Sequence, residues 1–100
     1  MGLANYAIEA LKRGESPKIR PRGHSMTGRV NDGDVMTLAP CDPDKLSVGD
    51  VVLVGVKGNV FLHLIKAKNQ GRFLIGNNRG KINGWVGPNA IYGVATEIEL

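Results

Sequence analysis

The sequence predicts a small, mostly β domain, either an antiparallel barrel or two packed sheets, with one short N-terminal α-helix. The chain has 100 residues, 42% of them hydrophobic, which suffices for a single core. Fourteen glycines and five prolines indicate many turns. Short β-branched runs separated by hairpin-turn signals are typical of antiparallel sheets, and closing such a sheet would remove its edge strands.

The first segment has the apolar spacing of a helix over residues 3–13. Gly14 and Pro17 follow and end the pattern. We therefore expect an N-terminal helix and entry segment at 1–17 and a β domain at 18–100. The residues that recur at helical spacing are Leu3, Tyr6, Ala7, Ala10 and Leu11.

The remainder of the chain has strand character. The dense β-branched run at 51–56 is typical of a strand buried on both faces. A polar loop is expected at 77–84, where glycine and asparagine cluster. The predicted strands are Lys18–Arg22, Val35–Ala39, Val51–Val56, Val60–Ala67, Arg72–Ile75, Trp85–Val86 and Ile91–Ile98.

The formal net charge is +4, and basic residues crowd near the N-terminus. Such a cluster could contact a phosphate backbone or an anionic membrane surface. A solvated entry segment explains it more simply, and few aromatic residues lie nearby to stack on bases, so nucleic acid is a disfavoured partner. The cluster consists of Lys12, Arg13, Lys18, Arg20 and Arg22.

Cysteine usage and hydropathy exclude several classes of protein. Cys41 is the single cysteine, which excludes an intramolecular disulfide and disfavours a zinc site. We predict no metal and no cofactor, and we interpret Cys41 as structural or incidental. No apolar run is long enough to cross a bilayer, and residues 1–12 lack the features of a signal peptide. We therefore expect a cytoplasmic protein without a transmembrane anchor.

Three serines are candidate nucleophiles: Ser16, Ser25 and Ser47. Serine needs a base to take its proton and donors to hold the developing oxyanion. A turn or cap role suffices for Ser47. Ser25 differs because Gly23, two residues before it, permits close approach of a substrate backbone, and Met26 offers a flexible apolar wall.

The candidate bases are His24, His63 and Lys66. His24 is badly placed, because adjacent side chains of an extended segment point to opposite faces. His63 lies in an apolar strand, where a histidine needs either a partner or a function. Lys66, three residues later, should face the other side of the strand and be solvated. A half-buried histidine bonded to a backbone carbonyl remains an alternative for His63.

Several motifs together resemble the S24/S26 peptidase superfamily, which contains signal peptidase I and the LexA-type repressor domains. They are Gly23-His24-Ser25-Met26, Asp32-Gly33-Asp34 and Leu46-Ser47-Val48-Gly49-Asp50-Val51-Val52. Weaker matches follow at His63-Leu64-Ile65, Arg72–Asn78 and Ile91–Ala95. The resemblance covers about 18–97. It implies that superfamily's complex β fold.

The resemblance implies Ser25 as nucleophile and His63 as base, as in the archaeal and endoplasmic-reticulum signal peptidases. It places Gly23 and Met26 beside the substrate and the oxyanion. The chain departs from the family because no acid lies between Asp50 and Glu97 to orient the histidine. Asn83 is a candidate to hold the ring, although asparagine stabilises an imidazolium less than aspartate does.

These features predict a serine endopeptidase that cleaves a partner, or itself, at a peptide bound in extended form by strand addition. The alternative is a catalytically weak or inactive module that binds a peptide or protein on the same fold. A nucleic-acid accessory domain is a third and weaker hypothesis. The resemblance allows a homodimer, since related domains often pair, but the sequence does not decide the oligomeric state.

Overall fold

A computed structural model of the protein describes residues 3–20 and 33–99, and the mostly β fold with one short helix is confirmed. One α-helix and seven strands lie in these ranges, with short 3-10 helices at Pro43–Lys45 and Pro88–Ala90. The elements are α1 (Leu3–Lys12), β1 (Lys18–Ile19), β2 (Val35–Ala39), β3 (Val51–Val56), β4 (Asn59–Asn69), β5 (Arg72–Gly76), β6 (Ile82–Val86) and β7 (Ile91–Glu99).

All seven strands form one antiparallel sheet in the order β1-β2-β7-β3-β4-β5-β6. The expected barrel closure is not found, because β1 and β6 are the two edges of the sheet in the described part of the chain. The sheet is nevertheless strongly curled. Residues of β6 contact β3 although β4 and β5 lie between them in the pairing order, and Lys57 Cε lies 3.9 Å from where a Cβ on Gly84 would stand.

The central strand β3 is buried on both faces, as its apolar run predicts. Alternate residues point to opposite sides of a strand, so β3 contributes to two separate cores. Val51 and Leu53 face the helix side of the sheet, together with Met36 and Leu38. The residues that face the inside of the curl are Val52, Val54, Val56, Ile65, Phe73, Ile75, Val86 and Ile91. We call this second side the inner face and the helix side the outer face.

The helix packs on the outer face against β1, β2 and β7, and it shares one core with the sheet. Ala7, Ala10 and Leu11 are buried, as the spacing predicts. Tyr6 was expected on the same face but is 57% exposed, because at 100° per residue position 6 lies at the edge of the stripe formed by Ala7, Ala10 and Leu11. No helix in residues 3–20 and 33–99 has the length and hydropathy needed to span a bilayer.

Most strand boundaries follow the sequence pattern, with one clear exception. The two hairpin loops at 57–58 and 70–71 place both central residues at positive φ, the geometry of the tight turns that match strand twist. The predicted polar loop at 77–84 is wrong in its second half, because β6 begins at Ile82. Pairing with β5 recruits Asn83 and Gly84 into the strand despite their turn-forming character.

Gly93 is the point at which the helix meets β7. A Cβ at this position would lie 2.8 Å from Leu11 Cδ1 and 2.9 Å from the Ala39 carbonyl oxygen. Gly93→Ala is therefore expected to destabilise the domain by about 1–3 kcal/mol, through overpacking against a backbone atom that has no room to move. Denaturant unfolding measures the change.

Gly87→Ala provides the matched control, since a Cβ at Gly87 meets no atom within 4 Å and its φ of −85° suits alanine. This variant should unfold at the wild-type midpoint or slightly above it. Equal destabilisation by the two substitutions would contradict the packing described for Gly93.

Candidate functional site

The sequence-predicted site residues fall in two parts of the chain. Gly23, Ser25 and Met26 lie outside the described residues. His63 lies in β4 and Asn83 in β6, and the structure brings these two side chains together although 20 positions separate them.

His63 is 6% exposed and points to the inner face of the curled sheet. It pairs with Val52 of β3, whose side chain belongs to the inner core. Two residues earlier in the strand, Phe61 lies on the same face and stacks on the imidazole, with ring centroids 4.8 Å apart and planes 15° from parallel. Phe61 therefore holds the plane of the ring and covers one of its faces.

A side-chain hydrogen bond fixes the orientation of the ring within that plane. His63 Nδ1 lies 2.9 Å from Asn83 Oδ1. The Asn83 amide is oriented with its oxygen, which only accepts, toward Nδ1, so this contact is a hydrogen bond in the tautomer that carries its hydrogen on Nδ1. In the neutral ring, Nε2 then holds a lone pair and is the atom able to take a proton. The backbone-carbonyl alternative considered for His63 is not the observed contact.

A β-bulge places Asn83 where it can reach His63. Gly84 pairs with Ile75 and Ile82 pairs with Gly76, which leaves Asn83 as the extra residue of β6. The preceding turn is held by Asn77, whose Oδ1 accepts hydrogen bonds from the backbone N–H groups of Arg79 and Lys81. Asn77 is thus occupied in shaping the turn, and Asn83 is the asparagine that contacts the histidine.

The surroundings of His63 favour its neutral form. Burial is the largest influence and lowers the pKa of the imidazole below its ordinary value of 6.5. The hydrogen bond to Asn83 opposes this shift, while the positive charge of Lys81 lowers the pKa further. His63 is consequently neutral at pH 7, and among residues 3–20 and 33–99 no carboxylate contributes to the shift of its pKa.

Lys66 and Cys41 lie among the described residues, whereas His24, like Ser25, lies outside them. Lys66 lies on the outer face, with its Cε beside Gly76, and is half-buried rather than fully solvated. Burial, followed by the charges of Asp42 and Asp50, raises the pKa of the Cys41 thiol, which disfavours the reactive thiolate. This agrees with the structural interpretation of Cys41.

Ser47 and Asp50 form the turn before β3. The backbone N–H of Ser47 donates to Asp50 Oδ2 at 2.9 Å, and the backbone N–H of Asp50 donates to the Ser47 carbonyl at 3.1 Å. Gly49, between them, has a φ of 98°, a conformation that favours glycine. The turn role predicted for Ser47 therefore accounts for its contacts.

Sequence reasoning missed two contributors to the site, Phe61 and Lys81. Phe61 could have been found from the period of two along β4, which puts residues 61 and 63 on one face. Lys81 could not, because its approach to His63 depends on the turn at 77–81 and on the bulge that follows it.

Comparisons with protein-family models, with curated proteins and with solved structures returned no match for this chain. The S24/S26 resemblance thus stands on the motifs quoted above.

The protonation of His63 can be measured directly by NMR titration in a His24→Gln background, where it is the only histidine. We expect a pKa below 6.5, because burial disfavours the imidazolium. Asn83→Asp should raise this pKa by placing a negative charge at Nδ1, and Asn83→Ala should lower it by removing the hydrogen bond. An unshifted value in all three proteins would show that the ring is solvated.

The same shift predicts how stability depends on pH. The unfolded chain protonates His63 near pH 6.5, whereas the folded chain resists protonation until a lower pH. The free energy of unfolding should therefore be fully maintained above pH 6.5 and decrease as the pH falls from 6.5 to the folded pKa. Denaturant unfolding at a series of pH values should show that decrease in wild type and not in His63→Gln.

Proposed function

We propose that this domain is a serine endopeptidase of the S24/S26 type in which Ser25 is the nucleophile and His63 is the general base. The observation that carries the proposal is the contact between His63 Nδ1 and Asn83 Oδ1, which suits the neutral tautomer whose Nε2 accepts a proton. That tautomer is the one a histidine base requires, with a hydrogen-bonded Nδ1–H held from behind.

In the proposed reaction, Ser25 and His63 have the following chemical roles. As Ser25 Oγ attacks the carbonyl carbon of an extended peptide, its proton passes to His63 Nε2. The imidazolium then returns that proton to the leaving amine, and an acyl ester with Ser25 remains. A water molecule, deprotonated by the same Nε2, hydrolyses the ester and frees Ser25. Gly23 and Met26 are proposed to line the substrate side, and the Ser25 backbone N–H to donate to the oxyanion.

Asn83 limits how well this dyad works. The proton transfer creates a positive charge on His63, which a neutral amide stabilises less than a carboxylate, and Lys81 disfavours the same charge. This observation favours a second candidate function, a peptide-binding or protein-binding module with weak or no catalysis. For either candidate we propose an extended peptide as ligand and a cytoplasmic location, and both are compatible with a homodimer.

Covalent labelling by a fluorophosphonate probe separates the two candidates. The endopeptidase should label at Ser25, found by peptide mass mapping, and the rate should rise as the pH passes through the pKa of His63. Ser25→Ala should abolish labelling. His63→Ala should slow it by about two orders of magnitude or more, the usual contribution of a positioned base.

Asn83→Asp sharpens the test. A carboxylate at Nδ1 should increase the labelling rate above that of wild type and move the pH midpoint upward, because it stabilises the imidazolium. Ser47→Ala is the control and should label at the wild-type rate, since Ser47 contacts Asp50 through its backbone. Failure of wild type and Asn83→Asp to label at any pH, with the fold intact, would reject the endopeptidase in favour of the binding module.

A further inference from the structure

The charges of this chain are segregated in a way that the proposed catalysis does not explain. Between Val51 and Thr96 there is no aspartate or glutamate, and all nine acids lie outside that stretch. The same stretch carries six cations: Lys57, Lys66, Lys68, Arg72, Arg79 and Lys81. It forms most of the curled part of the sheet, β3 to β6, so these strands contribute only positive charges to the surface.

The outer face of β5 and β6 combines part of that charge with an exposed apolar row. Ile82 Cδ1 and Lys66 Cε each lie 3.1 Å from the position of a Cβ on Gly76, so both side chains flank Gly76 on this face. Two residues before Gly76, Leu74 lies on the same side and pairs with Trp85. Ile82 is 51% exposed and Trp85 is 44% exposed.

Arg72 extends the row, two residues before Leu74 on the same face of β5. The face therefore has an apolar centre of Leu74, Ile82 and Trp85 with a cation at each end, Lys66 and Arg72. We call these five residues the β5–β6 face. Neither cation has a carboxylate partner among the residues that the structure describes. The helix lies elsewhere, against β1, β2 and β7.

Three features indicate a polypeptide as the occupant. Side chains on one face of a strand repeat every ~7 Å, and the alternate side chains of an extended peptide repeat at the same interval. The face combines an apolar centre with a cation at each end, which suits a chain that carries both apolar and acidic side chains. Leu74 and Ile82 give no stacking platform for bases, and Trp85 is the one exposed aromatic residue of the face.

We propose that the β5–β6 face is a docking surface for an acidic, apolar protein segment that lies across it in extended form. Its apolar side chains would cover Ile82 and Trp85, and its carboxylates would meet Lys66 and Arg72. The surface lies on the side of the sheet opposite His63, so docking here does not require catalysis.

Trp85 is the single tryptophan and reports directly on this face. The test uses the Ser25→Ala protein, which prevents cleavage, and a synthetic peptide of alternating glutamate and leucine. We expect a saturable blue shift of the Trp85 emission that weakens as salt increases. A peptide of the same pattern with lysine in place of glutamate should bind at least roughly tenfold more weakly, because like charges then meet.

Matched charge reversals locate the site. Arg72→Glu should weaken binding of the acidic peptide by roughly tenfold and improve binding of the lysine peptide, whereas Lys45→Glu, in the 3-10 helix before β3, should change neither. Equal affinity for the two peptides, or equal effects of the two substitutions, would overturn the proposal. Preferential binding of a single-stranded oligonucleotide or of vesicles containing phosphatidylserine, with no peptide bound, would also overturn it.

Discussion

The burial of β3 on both faces is the constraint on which the rest of this small domain depends. Its alternate residues supply one core that receives the helix and a second core inside the curl of the sheet. A strand that serves two cores leaves no room for a polar side chain, which is why 51–56 is uniformly apolar. Every residue of β3 pairs with a residue of β4. The pairing register between the two strands therefore fixes the face to which His63 points.

The curl of the sheet brings side chains of non-adjacent strands together on the inner face. His63 and Asn83 lie on β4 and β6 with β5 between them, and the inner face brings their side chains within hydrogen-bond distance. Burial favours the neutral ring, the Asn83 amide oxygen contacts Nδ1, and Phe61 stacks on the ring plane. The absence of acids from 51–96 leaves His63 with a cationic neighbour, Lys81, and gives the same lobe its positive outer surface.

The sequence pattern predicted more of the fold than of the candidate site. The predicted bounds of the strands Val35–Ala39 and Val51–Val56 agree with the observed ones. Alternation and β-branching are properties of the segment itself, so the sequence of the segment is enough to predict the strand. The loop expected at 77–84 was partly wrong, because strand pairing with β5 overrides the turn preference of Asn83 and Gly84. The contact between His63 and Asn83 depends on that pairing and on the bulge, which no local pattern shows. Asn83 entered the prediction through the family resemblance.

The central claim is that His63 Nε2 acts on Ser25. A crystal structure of the domain with a phosphonate covalently attached tests it most directly, because the adduct fixes Ser25 in its reacting position. The account predicts attachment to Ser25 Oγ, with that oxygen within ~3.2 Å of His63 Nε2 and Nδ1 still bonded to Asn83. Attachment at another residue, or a Ser25 Oγ that faces away from the imidazole with no water bridging them, would contradict it.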